Sequence, residues 1–187
     1  LVLIDGRFSE VEAVSPFRRA VEAVGGVVCP SLHEMGPLLN QFAAEMKSIA
    51  EGETPDPGRA TIIFIPNLQR YKKLRYEEDY SYSLDAEAEV KPADSLRDLI
   101  CEGPGWGYHV VISLDSYNSV SRCLGRKSAG EFEKKVLFQM SAADSASLID
   151  TGKASDLGLN RALFYDEPSG NVELFRPFAM PEPEWFG

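Results

Sequence analysis

Three short apolar runs set the main constraint on this chain. "LVLID" (1–5), "TIIFI" (61–65) and "YHVVISLD" (108–115) are nearly continuous, without the alternation of a half-exposed strand. Continuous runs suit strands covered on both faces, as in a parallel sheet flanked by helices. The intervening segments have helical spacing. Leu32, Met35, Leu39, Phe42, Met46 and Ile49 form one stripe, opened by a Ser31/Glu34 capping box and ended at Gly52. A shorter helix is expected from Pro16 to Val24, with Phe17, Val21 and Val24 on one face and Gly25–Gly26 as its stop. "VVCP" (27–30) reads as a further short strand.

The second half continues the alternation. Asp94 or Ser95 is expected to cap a helix running to Cys101, and "EGPGWG" (102–107) is a tight turn. A polar helix carrying Arg122, Arg126 and Lys127 follows the "YHVVISLD" strand. "KKVLFQM" (134–140) reads as the next strand, and Ser141 with Asp144 opens a helix through Leu148. "RALFYDEPSGNVELFRPF" reads as a hairpin around a Pro-Ser-Gly turn. Residues 75–93, acidic and tyrosine-containing, read as a surface excursion, and 179–187 as a proline-rich tail. Nothing repeats, and no domain boundary is visible. The pattern predicts one α/β domain, mostly parallel, with a C-terminal antiparallel hairpin.

At 187 residues and 44% hydrophobic content, one such domain buries roughly 70% of its unfolded surface. The formal charge of −10 opposes nucleic acid overall, although a local basic patch remains compatible with it. Cys29, Cys101 and Cys123 form no CxxC pair, and His33 and His109 are the only histidines. A disulfide scaffold or a zinc site is therefore not expected, and reduced thiols point to the cytoplasm. No apolar run approaches membrane-spanning length, and no signal peptide is expected ahead of the first strand.

Two segments resemble the FtsK/SpoIIIE-type DNA translocases. "GPGWGYHVVISLDSYNSV" has the layout of a strand-and-turn segment in those motors. "KKVLFQMSAADSASLIDTGKASDLGLNRALFY" is similar to their next segment, with Asp144, Ser145, Asp150, Leu157 and Gly158 at matching positions. "LVLIDGR" resembles the strand that follows the P-loop helix. The resemblance runs in order across most of the chain, the excursion apart. It implies a RecA-like P-loop NTPase sheet, present here as a partial domain. The GxxxxGK[ST] motif is absent, and by this alignment it lies upstream of Leu1. A longer parent with several motor-like modules is the expectation, binding ATP and magnesium elsewhere.

The same register puts "TIIFIPNLQR" on the Walker B strand, which normally ends in Asp-Glu. Pro66 and Asn67 stand at those positions. In the family, the Asp orients magnesium and the Glu polarises the attacking water. Proline has no ligating side chain, and an amide cannot accept the proton. The resemblance therefore implies a fragment inactive in isolation, within a motor for DNA translocation or segregation. The alternative is a non-catalytic scaffold or partner-binding module, or a protein translocase of the type VII secretion kind.

Pro66, Asn67, Asp115 and Ser116 are the nucleotide-binding candidates. Asp115 either faces a nucleotide or ion or caps the following helix. Family positions occupied by Thr-Gln-Arg are here Leu114, Asp115 and Ser116, and interface basic residues become Gln139 and Ala146. Arg70, Lys72, Lys73 and Arg75 are candidates for DNA or subunit contact; a solvated face paired with Glu77, Glu78 and Asp79 is the favoured alternative. Arg122 and Arg126, at i and i+4, are candidates for a trans-acting arginine, ordinary surface residues being favoured. Asp144 and Asp150 have a structural account at the two ends of their helix, and His109 reads as a strand histidine. No catalytic residue or metal ligand is assigned, and the expected partners are other modules or subunits in a ring, with DNA.

Overall fold

A computed structural model describes residues 1–4, 16–29, 32–76 and 90–179. Ser31 of the expected capping box, the acidic core of the excursion (77–89) and the tail beyond Ala179 lie outside the described residues. The chain forms two compact units, one up to Ser128 and one from Ala129.

The first unit carries β1 (Val2–Ile4), α1 (Pro16–Ala23), β2 (Val27–Cys29), α2 (Leu32–Ala50) and β3 (Thr61–Ile65). Two 3₁₀ turns (Leu68–Arg70 and Lys72–Leu74) follow, then α3 (Pro92–Cys101), a third 3₁₀ turn (Gly103–Trp106), β4 (Tyr108–Ile112) and α4 (Tyr117–Cys123). A short α5 (Arg126–Gly130) spans the division between the units. The sheet order is β2-β1-β3-β4, parallel throughout. The three apolar runs thus occupy adjacent strands, as their composition demands.

Right-handed crossovers put α1 on one face of this sheet and α2 and α3 on the other. The covered face holds Val2, Ile4, Ile63, Ile65 and Tyr108, all buried. Tyr108 meets Phe42 of α2 with ring centroids 6.1 Å apart. Desolvation, with the Glu45 carboxylate, pushes its phenol up to about 12. On the opposite face α1 covers the β1–β2 half, and Leu3 is fully buried. The β3–β4 half is less covered: Ile62 is 42% exposed and Val111 44%.

The stripe on α2 packs as its spacing predicts, with Met35, Leu39, Met46 and Ile49 buried. α3 does not begin as expected. Lys91 is the N-cap residue, and Pro92 takes the first helical position, where its missing N–H costs nothing. Ser95 is instead buried and donates to Asn40 Oδ1 of α2 at 2.8 Å. The two helices approach closely at Gly36, where a Cβ would meet Pro92 Cγ at 2.9 Å. Lys47 Nζ donates to Asp98 Oδ2 at 2.7 Å and Arg97 to Asp98 Oδ1 at 3.2 Å.

The second unit holds β5 (Lys134–Leu137), α6 (Ala142–Ile149), a 3₁₀ turn (Gly152–Asp156), β6 (Ala162–Asp166) and β7 (Asn171–Phe175). The β6–β7 hairpin is as expected. The "KKVLFQM" segment is not a further strand of the parallel sheet; it is shorter than expected and pairs antiparallel with β6 in a separate sheet, β5-β6-β7. This pairing seats Leu137 in the apolar core of the second unit, and its register sets Lys134 opposite Asp166 (2.5 Å) and lets Lys135 reach Glu167. Leu137, Ile149, Ala154, Leu157 and Leu163 form the core of this unit. Ser141 caps α6 as predicted, its Oγ accepting from Asp144 N at 3.1 Å.

Two outcomes follow for stability. Ile63→Ala, at a fully buried site in the central strand, is expected to cost about 2–5 kcal/mol in urea denaturation. Burial works against the Asp98 charge, but the Lys47 and Arg97 hydrogen bonds outweigh it and hold the carboxyl below its usual range. A depressed carboxylate stabilises above its unfolded pKa and loses that contribution as pH falls through the folded one. Asp98→Asn should therefore weaken the fold at neutral pH, with the deficit shrinking in acid; a deficit constant with pH would refute the charge-based account.

Candidate functional site

The candidate site lies at the carboxyl tips of β3 and β4, where ligands of open α/β sheets bind. β3 ends at the fully buried Ile65. Pro66 and Asn67 then turn the chain. Proline pre-sets φ at the first position, and Asn67 takes the left-handed conformation (φ 54°, ψ 52°), which asparagine tolerates better than most residues. Leu68, fully buried, anchors the first 3₁₀ turn behind them.

Ser113, just beyond β4, clasps this turn. Its N–H donates to Ile65 O (3.1 Å), its carbonyl accepts from Leu68 N (3.0 Å), and its Oγ accepts from Asn67 N (2.8 Å). The β3–β4 ladder is thereby extended past both strands. No sequence motif marked this serine, because its role depends on a partner 46 residues away.

The β4 tip continues through Leu114 to the exposed Asp115 and Ser116. Ser116, not Asp115, caps α4: its Oγ accepts from Ser119 N at 3.2 Å. It also stands 3.1 Å from Asp115 Oδ1. Hydrogen bonding from the Ser119 hydroxyl, with Ser116 and Gln69, holds the Asp115 carboxyl below the usual range. Gln69 Oε1 is buried without a hydrogen-bond partner. Asp115 is thus ionised and engaged by its own neighbours.

Among the described residues, the side-chain oxygens at the two tips are the Asp115 carboxylate, the Asn67 amide and the hydroxyls of Ser113 and Ser116. Among the described residues, no group of three or more His, Cys, Asp or Glu side chains could hold a metal ion.

The basic candidates separate. Arg70, Lys72 and Lys73 are exposed on the two 3₁₀ turns. Arg75 folds back, Nη2 donating to Gln69 O at 2.8 Å, with its Nε buried and unpartnered. Arg122 and Arg126 are both exposed, but they do not share one helix as expected. α4 stops at Cys123 and α5 begins at Arg126. The break at Gly125 lies against the Tyr76 ring, which a Cβ there would meet at 2.8 Å. Among the described residues, no helix is long and apolar enough to cross a membrane.

No protein-family model and no curated protein matches the chain. Solved structures do. The pCW3 conjugation coupling protein TcpA, in its monomer form with ATPγS, superposes at a TM-score of 0.69 with 14% identity, over 99% of this chain and 55% of that one. The fold is that of an FtsK/HerA-like P-loop ATPase. The genome-packaging NTPase B204 of Sulfolobus turreted icosahedral virus 2, in complex with sulfate, gives 0.55 and 13% identity, over 95% of this chain and 81% of that one. The cytoplasmic domain of the type VII secretion ATPase EccC of Thermomonospora curvata gives 0.56 and 12%, over 94% and 21%. This chain spans about half the length of the coupling protein and a fifth of EccC.

If Ser113 is the clasp, Ser113→Ala should cost about 1 kcal/mol in urea denaturation by removing the acceptor of Asn67 N–H. Asn67→Gly should be tolerated, whereas Asn67→Val should cost about 1–2 kcal/mol more because of the left-handed backbone. Equal effects of Gly and Val would mean that the turn relaxes.

Proposed function

We propose that this chain is a module of an FtsK/SpoIIIE-like motor for DNA translocation or segregation, and that it keeps the motor fold without hydrolysing ATP itself. The observation that carries this reading is the β3 tip: a neutral Pro-Asn turn bonded to Ser113 stands where a hydrolytic site needs two carboxylates. Neither an attacking water nor a metal has a base or ligand from that strand. Asn67, Asp115 and Ser116 are left with hydrogen-bonding roles at the rim of a nucleotide held by other parts of the parent.

The sheet supports a larger assembly. Among the described residues β4 is an open edge, and the face beside it carries the half-exposed Ile62 and Val111. Parallel sheets are covered on both faces. A strand–helix unit bearing the P-loop, supplied by the parent, would pair with β4 and cover these side chains. ATP and magnesium then belong to the parent protein, in the cytoplasm, with Arg70, Arg122 and Arg126 as exposed contacts to DNA or to a neighbouring subunit in a ring.

A second reading has support in the likeness to EccC: a scaffold, or a module that hands on protein instead of DNA. The two diverge in one assay. The parent protein is expected to show DNA-stimulated ATP turnover, abolished when the P-loop lysines of all its other modules are replaced by alanine. Turnover surviving that replacement would overturn the non-hydrolytic assignment, and turnover indifferent to DNA would favour the second reading.

A further inference from the structure

The β3–β4 tips are not the chain's only concave feature. A cleft of about 230 Å³ opens between the second 3₁₀ turn, the start of α3 and the α4–α5 break. Its floor is apolar: Leu74, Leu96, Ile100, Cys123 and Leu124. Its walls carry Lys72, Lys73, Arg75, Lys91 and Arg97 against one carboxylate, Asp94. Arg97 is held by Asp94 and Asp98, and Arg75 by the neutral carbonyl of Gln69. Lys72 and Lys73 are exposed and form no ion pair with a described residue.

In a protein of net charge −10, Lys72 and Lys73 stand exposed at the rim of one apolar cleft. We infer that this cleft docks an acidic peptide segment of a partner protein, with an aliphatic or aromatic side chain seated between α3 and α4 and carboxylates on Lys72 and Lys73. Charge complementarity selects the class. DNA phosphates would answer the lysines, but a duplex backbone has no side chain to enter a floor of leucine and isoleucine. An acidic peptide supplies both parts, and exposed charges would govern its on-rate and salt response more than its affinity.

The probe is a fluorescein-labelled acidic peptide of unrelated sequence, EEDELFEEDE, which has the required chemistry and no copy tethered beside the cleft. Added to the intact chain, it should give saturable anisotropy that weakens several-fold between about 50 and 300 mM salt. It should bind about tenfold more weakly to the Lys72→Glu/Lys73→Glu variant, whose fold circular dichroism would verify. Absence of saturable binding, or binding untouched by the double substitution, would overturn the inference. So would binding that emerges only after residues 77–89 of the chain are replaced by a Gly/Ser stretch of equal length, since the cleft would then be filled by its own chain. Displacement of the peptide by an oligothymidylate would assign the lysines to phosphate instead. None of these outcomes depends on ATP turnover, so the motor reading stands or falls separately.

Discussion

The pairing of β3 with β4 is the interaction on which the first unit depends. Five consecutive residue pairs, Thr61–Ile65 with Tyr108–Ile112, make it the longest parallel register in the sheet, and β3 alone joins that pair to β1. Burial provides most of the energy: Ile63 and Ile65, both fully buried, are worth about 1.5–3 kcal/mol each. The hydrogen bonds of Ser113 contribute nearer 1 kcal/mol apiece, but they are directional. Burial thus places the strand, while the clasp sets where its tip ends and which way the chain leaves.

That division of labour governs what could be read in advance. The sheet strands were legible because a doubly covered strand must be apolar throughout, and few other structures ask for such a run. The α2 stripe was legible for the same reason at helical period. What escaped was set by tertiary contact. "KKVLF" looks like one more buried strand, but Lys134 and Lys135 find their carboxylates only across an antiparallel partner. The break between Arg122 and Arg126 falls where Leu124 turns extended and Tyr76, nearly fifty residues away in sequence, lies on Gly125. Ser113 was invisible because a serine after a strand is common, and its acceptor role depends on the turn it meets. The candidate residues at the tips were located by resemblance; their hydrogen bonding was not.

The proposed absence of the Walker B acids has a physical rationale in the Pro-Asn turn. Two adjacent carboxylates at a strand tip repel each other and need a cation to be tolerable there. On the proposed reading, a strand that holds no metal has no reason to keep that cost. A neutral turn satisfied by one serine removes it, and the tip gains bonds that a hydrolytic site would have to leave open for water and phosphate. Active sites give up stability for function; on the proposed reading the β3 tip is that exchange run backwards. The remaining carboxylate, Asp115, fits this picture, because its hydrogen bonds come from Ser116, Ser119 and Gln69 within the chain.

Charge distribution bears on what such a module can still do. With −10 overall, long-range attraction to a polyanion is weak, and screening beyond about 8 Å at physiological salt leaves only local clusters effective. Arg122 and Arg126 stand on separate short helices, and Arg75 is folded inward, which leaves Arg70, Lys72 and Lys73 exposed on the two 3₁₀ turns. Of these, Lys72 and Lys73 line an apolar cleft. A phosphate track needs many aligned cations, because each contributes through the counterions it releases. Two lysines over leucines and an isoleucine answer a shorter, mixed ligand better, and that argues for recognition of protein at this face.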